Sequence, residues 1–134
     1  MAHPFVHVEL YTSDLAKAKS FYGKLFGWKL SDMPIPAEGG SGTYTMIDVG
    51  EGTGGGMLQN PRPGGSHWLA YVGVEDISRS LRSARELGAK VVMDRTEVGD
   101  FGVMAILTDP TGAQFALWEP KRKQGQKQQQ TSKK

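Results

Sequence analysis

The chain repeats itself. The run His7-Val-Glu-Leu-Tyr-Thr-Ser-Asp14-Leu-Ala-Lys-Ala returns 62 residues later as Leu69-Ala-Tyr-Val-Gly-Val-Glu-Asp76-Ile-Ser-Arg-Ser, and Gly52–Leu58 lies over Gly112–Trp118 at a shift of 60. A repeated supersecondary unit does not close a hydrophobic core alone, so two copies are expected to pack together and leave a cleft between them. At 134 residues the chain has the length of one domain and can bury one real core, but not two independent ones. The expectation is therefore a single domain over 1–120 made of two modules, about 3–59 and about 67–120, joined by a linker at 60–66.

Composition narrows the chemistry. There is no cysteine, which excludes disulfides, thiolate metal sites and a cysteine nucleophile. No apolar run approaches the ~18 residues of a membrane span, and no basic-then-apolar leader follows Met1, so a soluble cytoplasmic protein without a membrane partner is expected. The formal charge of +2 misleads, because residues 121–134 carry six Lys or Arg and no acid, whereas residues 1–120 hold 10 Lys+Arg against 14 Asp+Glu, a net of −4. That Gln-rich basic tail has almost nothing to bury and is expected to be disordered. It has no aromatic residue on which a base could stack, so nucleic acid is not an expected partner.

Each module reads as β-α-β-β-β. Residues 5–12 alternate as a strand, with Val6, Val8 and Leu10 on one face and His7, Glu9 and Tyr11 on the other. Ser13-Asp14 offers an N-cap to a helix whose Leu15, Ala18, Phe21, Tyr22 and Leu25 recur at helical spacing up to Gly27. Strands follow at 28–33, 43–49 and 54–58, with the Pro- and Gly-rich 34–42 as a loop. The plan restarts with a strand at 68–74 and an Asp76-capped helix bearing Ile77, Leu81, Ala84 and Leu87, ended by Gly88; strands are predicted at about 90–95, 102–108 and 113–118. Asp109-Pro-Thr-Gly112 has the chemistry of a type I turn. The Gly54-Gly-Gly56 run opens no helix, so it cradles no phosphate and predicts a bulge or close backbone approach in an edge strand.

Alternation also separates the two faces of the sheet. Val6, Val8, Leu10, Ala70, Val72, Val74, Val103, Ala105, Leu107, Phe115 and Leu117 form the side expected to pack on the helices. The opposite side presents His7, Glu9, Tyr11, Tyr44, Met46, Asp48, Leu69, Tyr71, Gly73, Met104, Ile106, Thr108, Gln114, Ala116 and Trp118. Aromatic residues and methionines around a few polar groups suit a small-molecule pocket, although the same face could be a second core filled by its own side chains. His7 and Glu9 are the candidate acid–base pair, since a histidine titrates near neutrality and an adjacent carboxylate can set its tautomer.

The paired modules, together with Asp14-Leu…Ala18-Lys-Ser-Phe-Tyr22-Gly-Lys-Leu-Phe-Gly-Trp28 and Asp109-Pro-Thr-Gly-Ala-Gln-Phe-Ala-Leu-Trp118, resemble the vicinal oxygen chelate superfamily of glyoxalase I, extradiol dioxygenases and bleomycin-resistance proteins. The resemblance spans residues 3–120. It implies an α+β fold in which two βαβββ modules form an open, barrel-like mixed sheet around a cleft with helices outside, commonly in a homodimer. In that family's metalloenzymes a divalent metal is held by residues of the first and last strands of each module, positions that fall here on His7, Gly56, Leu69 and Ala116. Three of these four carry no donor side chain, so no metal cofactor is expected. The exception would be a shifted site in which His7 and Glu9 recruit Asp48 or His67; His3 adds little, since it precedes Pro4 at the start of the first strand.

Three functions fit these residues. The first is a glyoxalase- or bleomycin-resistance-like protein that binds a small organic molecule in the cleft without the usual metal, acting as a binding protein or through His7 and Glu9. The second is a metal-dependent enzyme, an isomerase of the lactoylglutathione lyase type or a dioxygenase. The third is a non-enzymatic regulatory or interaction protein whose basic tail is the working part.

Overall fold

A computed structural model describes residues 2–37, 40–61 and 64–121, and the chain divides into two compact units, Met1–Val72 and Gly73–Lys134. The fold is α+β, with eight strands and two helices among the described residues.

The first unit holds β1 (Phe5–Thr12), α1 (Leu15–Phe26), β2 (Lys29–Ala37), β3 (Gly40–Asp48), β4 (Gly55–Gln59) and β5 (His67–Gly73), with the strands in the order β2-β3-β4-β1-β5. β1 and β4 run parallel, with Val8 opposite Gly55 and Leu10 opposite Met57; the other pairs are antiparallel. β5 opens the second sequence repeat, yet it pairs with β1 and falls almost wholly in the first unit.

Local chemistry explains α1. Asp14 sits in extended backbone and accepts from the Lys17 amide at 3.0 Å, an N-cap that satisfies one of the helix's unpaired donors. Gly27 closes the helix at φ 70°, a left-handed conformation that glycine adopts without a Cβ clash, and its amide bonds the Gly23 carbonyl at 2.9 Å. Leu15, Ala18 and Tyr22 pack on a core of Leu10, Ile47 and Met57. The predicted apolar stripe is wider than the buried one, because its Phe21 and Leu25 are each 56% exposed, as is Phe26 beside them. Leu15, Ala18 and Tyr22 fall at i, i+3 and i+7 and face the sheet, whereas Phe21 and Leu25 flank them.

Two sequence expectations need correction here. The predicted loop 34–42 is strand on both sides of residues 38 and 39, which lie outside the described residues: β2 runs on through Ala37, and β3 starts at Gly40. Pro34 and Pro36 are tolerated because β2 is an edge strand, and prolines two residues apart lack their N–H on the same side. The glycine run does mark close approach, since a Cβ on Gly55 would strike the Val8 carbonyl, but β4 lies between β3 and β1 and is not an edge.

The second unit packs α2 (Ile77–Glu86) with the antiparallel strands β6 (Lys90–Val98), β7 (Gly102–Thr108) and β8 (Gln114–Pro120), in the order β8-β7-β6. Ile77, Leu81, Val103, Ala105, Leu107 and Leu117 are buried. Asp109 organises the β7–β8 turn by accepting from the Thr111 hydroxyl (2.7 Å) and from the amides of Ala113 (3.0 Å) and Thr111 (2.8 Å), and these bonds hold its carboxyl below the usual range. The repeat persists in a detail that alternation does not reveal. Gln59 at the end of β4 accepts from the Leu15 amide at 3.0 Å, and Glu119, its counterpart in β8, accepts from the Ile77 amide at 2.9 Å, so each helix start is capped twice.

Of the predicted linker, residues 62 and 63 lie outside the described residues, as does the predicted tail apart from Lys121, whose amide donates to the Phe101 carbonyl at 2.9 Å. Among the described residues no helix is long and apolar enough to cross a membrane.

Candidate functional site

Glu9 is the organising residue. It lies in the middle of β1, only 6% exposed, and both carboxylate oxygens are engaged: Tyr44 donates to Oε2 at 2.7 Å and Tyr71 to Oε1 at 2.6 Å. A buried carboxylate needs such partners, because an unpaired one loses hydration with nothing in return. His7, two residues earlier on the same face, brings Nε2 to 2.6 Å from the Tyr44 hydroxyl. The ring of Tyr71 meets His7 edge-on with centroids 5.4 Å apart.

Strand order explains how these groups converge. Tyr71 arrives from β5, where it is paired with His7 across the β1–β5 ladder. Tyr44 comes from β3 and must cross β4 to reach Glu9. The residue it crosses is Gly56, buried and paired with Met46 on one side and Glu9 on the other. A Cβ on Gly56 would run into the phenol ring of Tyr44, so the missing side chain is what admits the tyrosine.

The electrostatics follow from burial. Desolvation, and then the negative charge of Glu9, push the hydroxyls of Tyr44 and Tyr71 far up, which keeps both phenols protonated as donors. Burial lowers the pKa of His7, with Glu9 acting the other way, so the imidazole is neutral around pH 7.

The remaining candidate residues lie around this cluster or in the second unit. Leu69 is 1% exposed and sits opposite Glu9. Tyr11 stacks on His67 with centroids 5.1 Å apart. Met46 is exposed, and Asp48, also exposed, accepts from the Gly50 amide at 2.9 Å. In the second unit Met104 pairs with Trp118, Ile106 with Ala116 and Thr108 with Gln114. Ala116 and Ile106 are buried, Met104, Thr108 and Trp118 half-buried, and Gln114 exposed. Trp118 lies against Gly102, where a Cβ would fall 2.6 Å from Cζ2.

Of the positions where related metalloenzymes hold a metal, Gly56, Leu69 and Ala116 offer no donor atom, and His7 Nε2 is taken by Tyr44. Among the described residues no group of three His, Cys, Asp or Glu is placed to hold a metal ion.

Sequence reasoning missed an apolar groove of about 300 Å³ in the first unit, lined by Val8, Trp28, Ile47, Val49, Thr53, Gly54, Gly55 and Trp68. Val8 alternates with His7 and Glu9, so the groove opens on the other face of β1. It holds no ionisable group, so chemistry, as opposed to apolar contact, belongs to the Glu9 face. No pattern of neighbouring residues signals the groove, because Trp28, the Gly54–Gly55 pair and Trp68 lie far apart along the chain and meet only in the fold.

Residues 5–117 match the model of the glyoxalase/bleomycin resistance protein/dioxygenase superfamily. Among curated relatives, "Putative glyoxylase CFP32" of Mycobacterium bovis is 36% identical over 120 residues, covering 86% of this chain and 45% of its own length. The anthracycline biosynthesis protein DnrV of Streptomyces peucetius is 29% identical over 124 residues, 82% of this chain and 44% of its own. The chain thus spans just under half the length of these relatives. Among solved structures, methylmalonyl-CoA epimerase from Mycobacterium tuberculosis aligns over 91% of both chains with a TM-score of 0.69 at 17% identity. At that identity the likeness concerns the fold.

Proposed function

Because the chain belongs to the glyoxalase/bleomycin resistance protein/dioxygenase superfamily, we propose that it binds a small organic molecule on the face built around Glu9, and does so without a divalent metal. The observation that carries this reading is the bonding of Glu9. Both of its oxygens accept from phenols, one of which passes over Gly56, so each oxygen is already engaged and the space that a ligand side chain at Gly56 would need is filled by the Tyr44 ring. His7, half-buried beside them, is the polar group that remains for a ligand, and apolar burial at about 25 cal/mol per Å² supplies most of the affinity.

Elemental analysis of protein purified without chelator, followed by a thermal-shift screen of small carbonyl and aromatic metabolites, tests the proposal. Ligands that raise the melting temperature of metal-free protein, and lose that effect in Tyr71→Ala, are expected. One tightly bound metal per chain, lost on His7→Ala, would overturn it and restore the isomerase or dioxygenase reading.

The working form we propose is a homodimer. Its support is that the curated relatives are about twice as long as the stretch they share with this chain, and that α1 leaves Phe21, Leu25 and Phe26 more than half exposed. Light scattering at tens of micromolar decides it, and a monomer of about 15 kDa would refute it.

A further inference from the structure

Proton counting in the Glu9 cluster fixes more than its geometry. A carboxylate only accepts, so Tyr71 and Tyr44 each spend their single hydroxyl proton on Glu9, at 2.6 and 2.7 Å. Tyr44 then has no proton left for His7, and its oxygen, 2.6 Å from Nε2, can only accept. His7 must therefore carry its proton on Nε2. A neutral imidazole protonated there presents a bare lone pair at Nδ1.

That lone pair is within reach of solvent. Nδ1 bonds no described residue, and among the described residues every buried side-chain nitrogen or oxygen has a partner, so Nδ1 is not sealed in. We propose that Glu9 and Tyr44 act as positioning residues that lock His7 as the Nε2–H tautomer, with Nδ1 as the hydrogen-bond acceptor that the site turns toward its ligand. The class of ligand follows, resting on the proposed ligand site above. The bound molecule presents a hydroxyl to Nδ1, as a phenol or an alcohol does, and an otherwise identical ether is discriminated against because it leaves the lone pair unmet. Should that hydroxyl transfer its proton, Nδ1 takes the proton and the oxygen keeps the electron pair. The resulting imidazolium is held by Nε2–H to Tyr44 and, through the phenol, by the charge of Glu9.

The lock is read on the free protein, before any ligand is known. Long-range proton–nitrogen correlation spectra of the full chain labelled with ¹⁵N-histidine, with His7 assigned by His7→Gln, are expected to show Nδ1 unprotonated in wild type and in Tyr71→Phe. In Tyr44→Phe the tautomers are expected to mix. A predominant Nδ1–H form in wild type overturns the lock without any variant, as does an unchanged pattern in folded Tyr44→Phe. For the ligand class the probes are 4-methylphenol and 4-methylanisole. The phenol is expected to move the Nδ1 resonance and to bind about three- to tenfold more tightly than the ether. Equal binding, or no response of Nδ1 to the phenol, overturns the hydroxyl assignment. A failed metabolite screen with the tautomer locked as expected counts against the proposed function and leaves the lock standing.

Discussion

The phenol ring of Tyr44 occupies the space that a side chain at Gly56 would need. Gly56→Ala is therefore expected to displace the ring and weaken both of its polar contacts. Overpacking of this kind costs about 1–3 kcal/mol, read as a lower denaturation midpoint in urea. In a Tyr44→Ala background the same change should cost much less, because the obstacle is gone. Equal costs in the two backgrounds would mean that the ring does not depend on the glycine.

Removing the hydroxyl of Tyr71 deletes a bond to a buried charge. Tyr71→Phe is expected to destabilise the protein by about 1.5–3 kcal/mol. Glu9→Ala should cost more, since it removes the charged acceptor of two phenols at once. Chemical denaturation of the three proteins checks the order, and a Glu9→Ala variant as stable as wild type would show the cluster to be without structural weight.

The lowered pKa of His7 makes a signed prediction. Between its folded value and the ordinary 6.5, the unfolded chain binds more protons at this residue than the folded one, so stability rises with pH through that window. Above about 6.5 both states are neutral and the contribution is flat. Thermal melts of wild type should lose stability on acidification through this range, and His7→Gln should lose less. The same acid sensitivity in both would place its origin elsewhere.

The helix starts should respond to their caps. Asp14→Ala and Asp76→Ala each remove a side-chain acceptor from an N-terminal amide, of Lys17 at 3.0 Å and Arg79 at 3.1 Å. Each is expected to cost about 1 kcal/mol. Gln59→Ala and Glu119→Ala remove the second acceptor at each start and should cost a smaller amount, measured by thermal melts.

The sequence by itself determined what depends on neighbours along the chain. Alternation set β1 and placed His7 and Glu9 on one face; the 3.6-residue period, the capping aspartates and Gly27 set the limits of α1; and the repeat implied two modules of one plan. The first two are signals of a few residues' range and the repeat is a comparison of two such stretches, so all are readable without knowing which strands pair. Strand order, by contrast, is a non-local property. Only the tertiary structure decided that β4 lies between β3 and β1, which turns Gly56 from a feature of backbone approach into the gap through which Tyr44 reaches Glu9. It alone decided that β2 is an edge, where Pro34 and Pro36 can sit within a strand instead of ending it. The role of Glu9 was equally beyond the sequence, which paired it with His7, its neighbour on the same face. In the folded chain Tyr44 stands between them, because a buried carboxylate takes the donors that the sheet brings to it, and those come from residues 35 and 62 positions away.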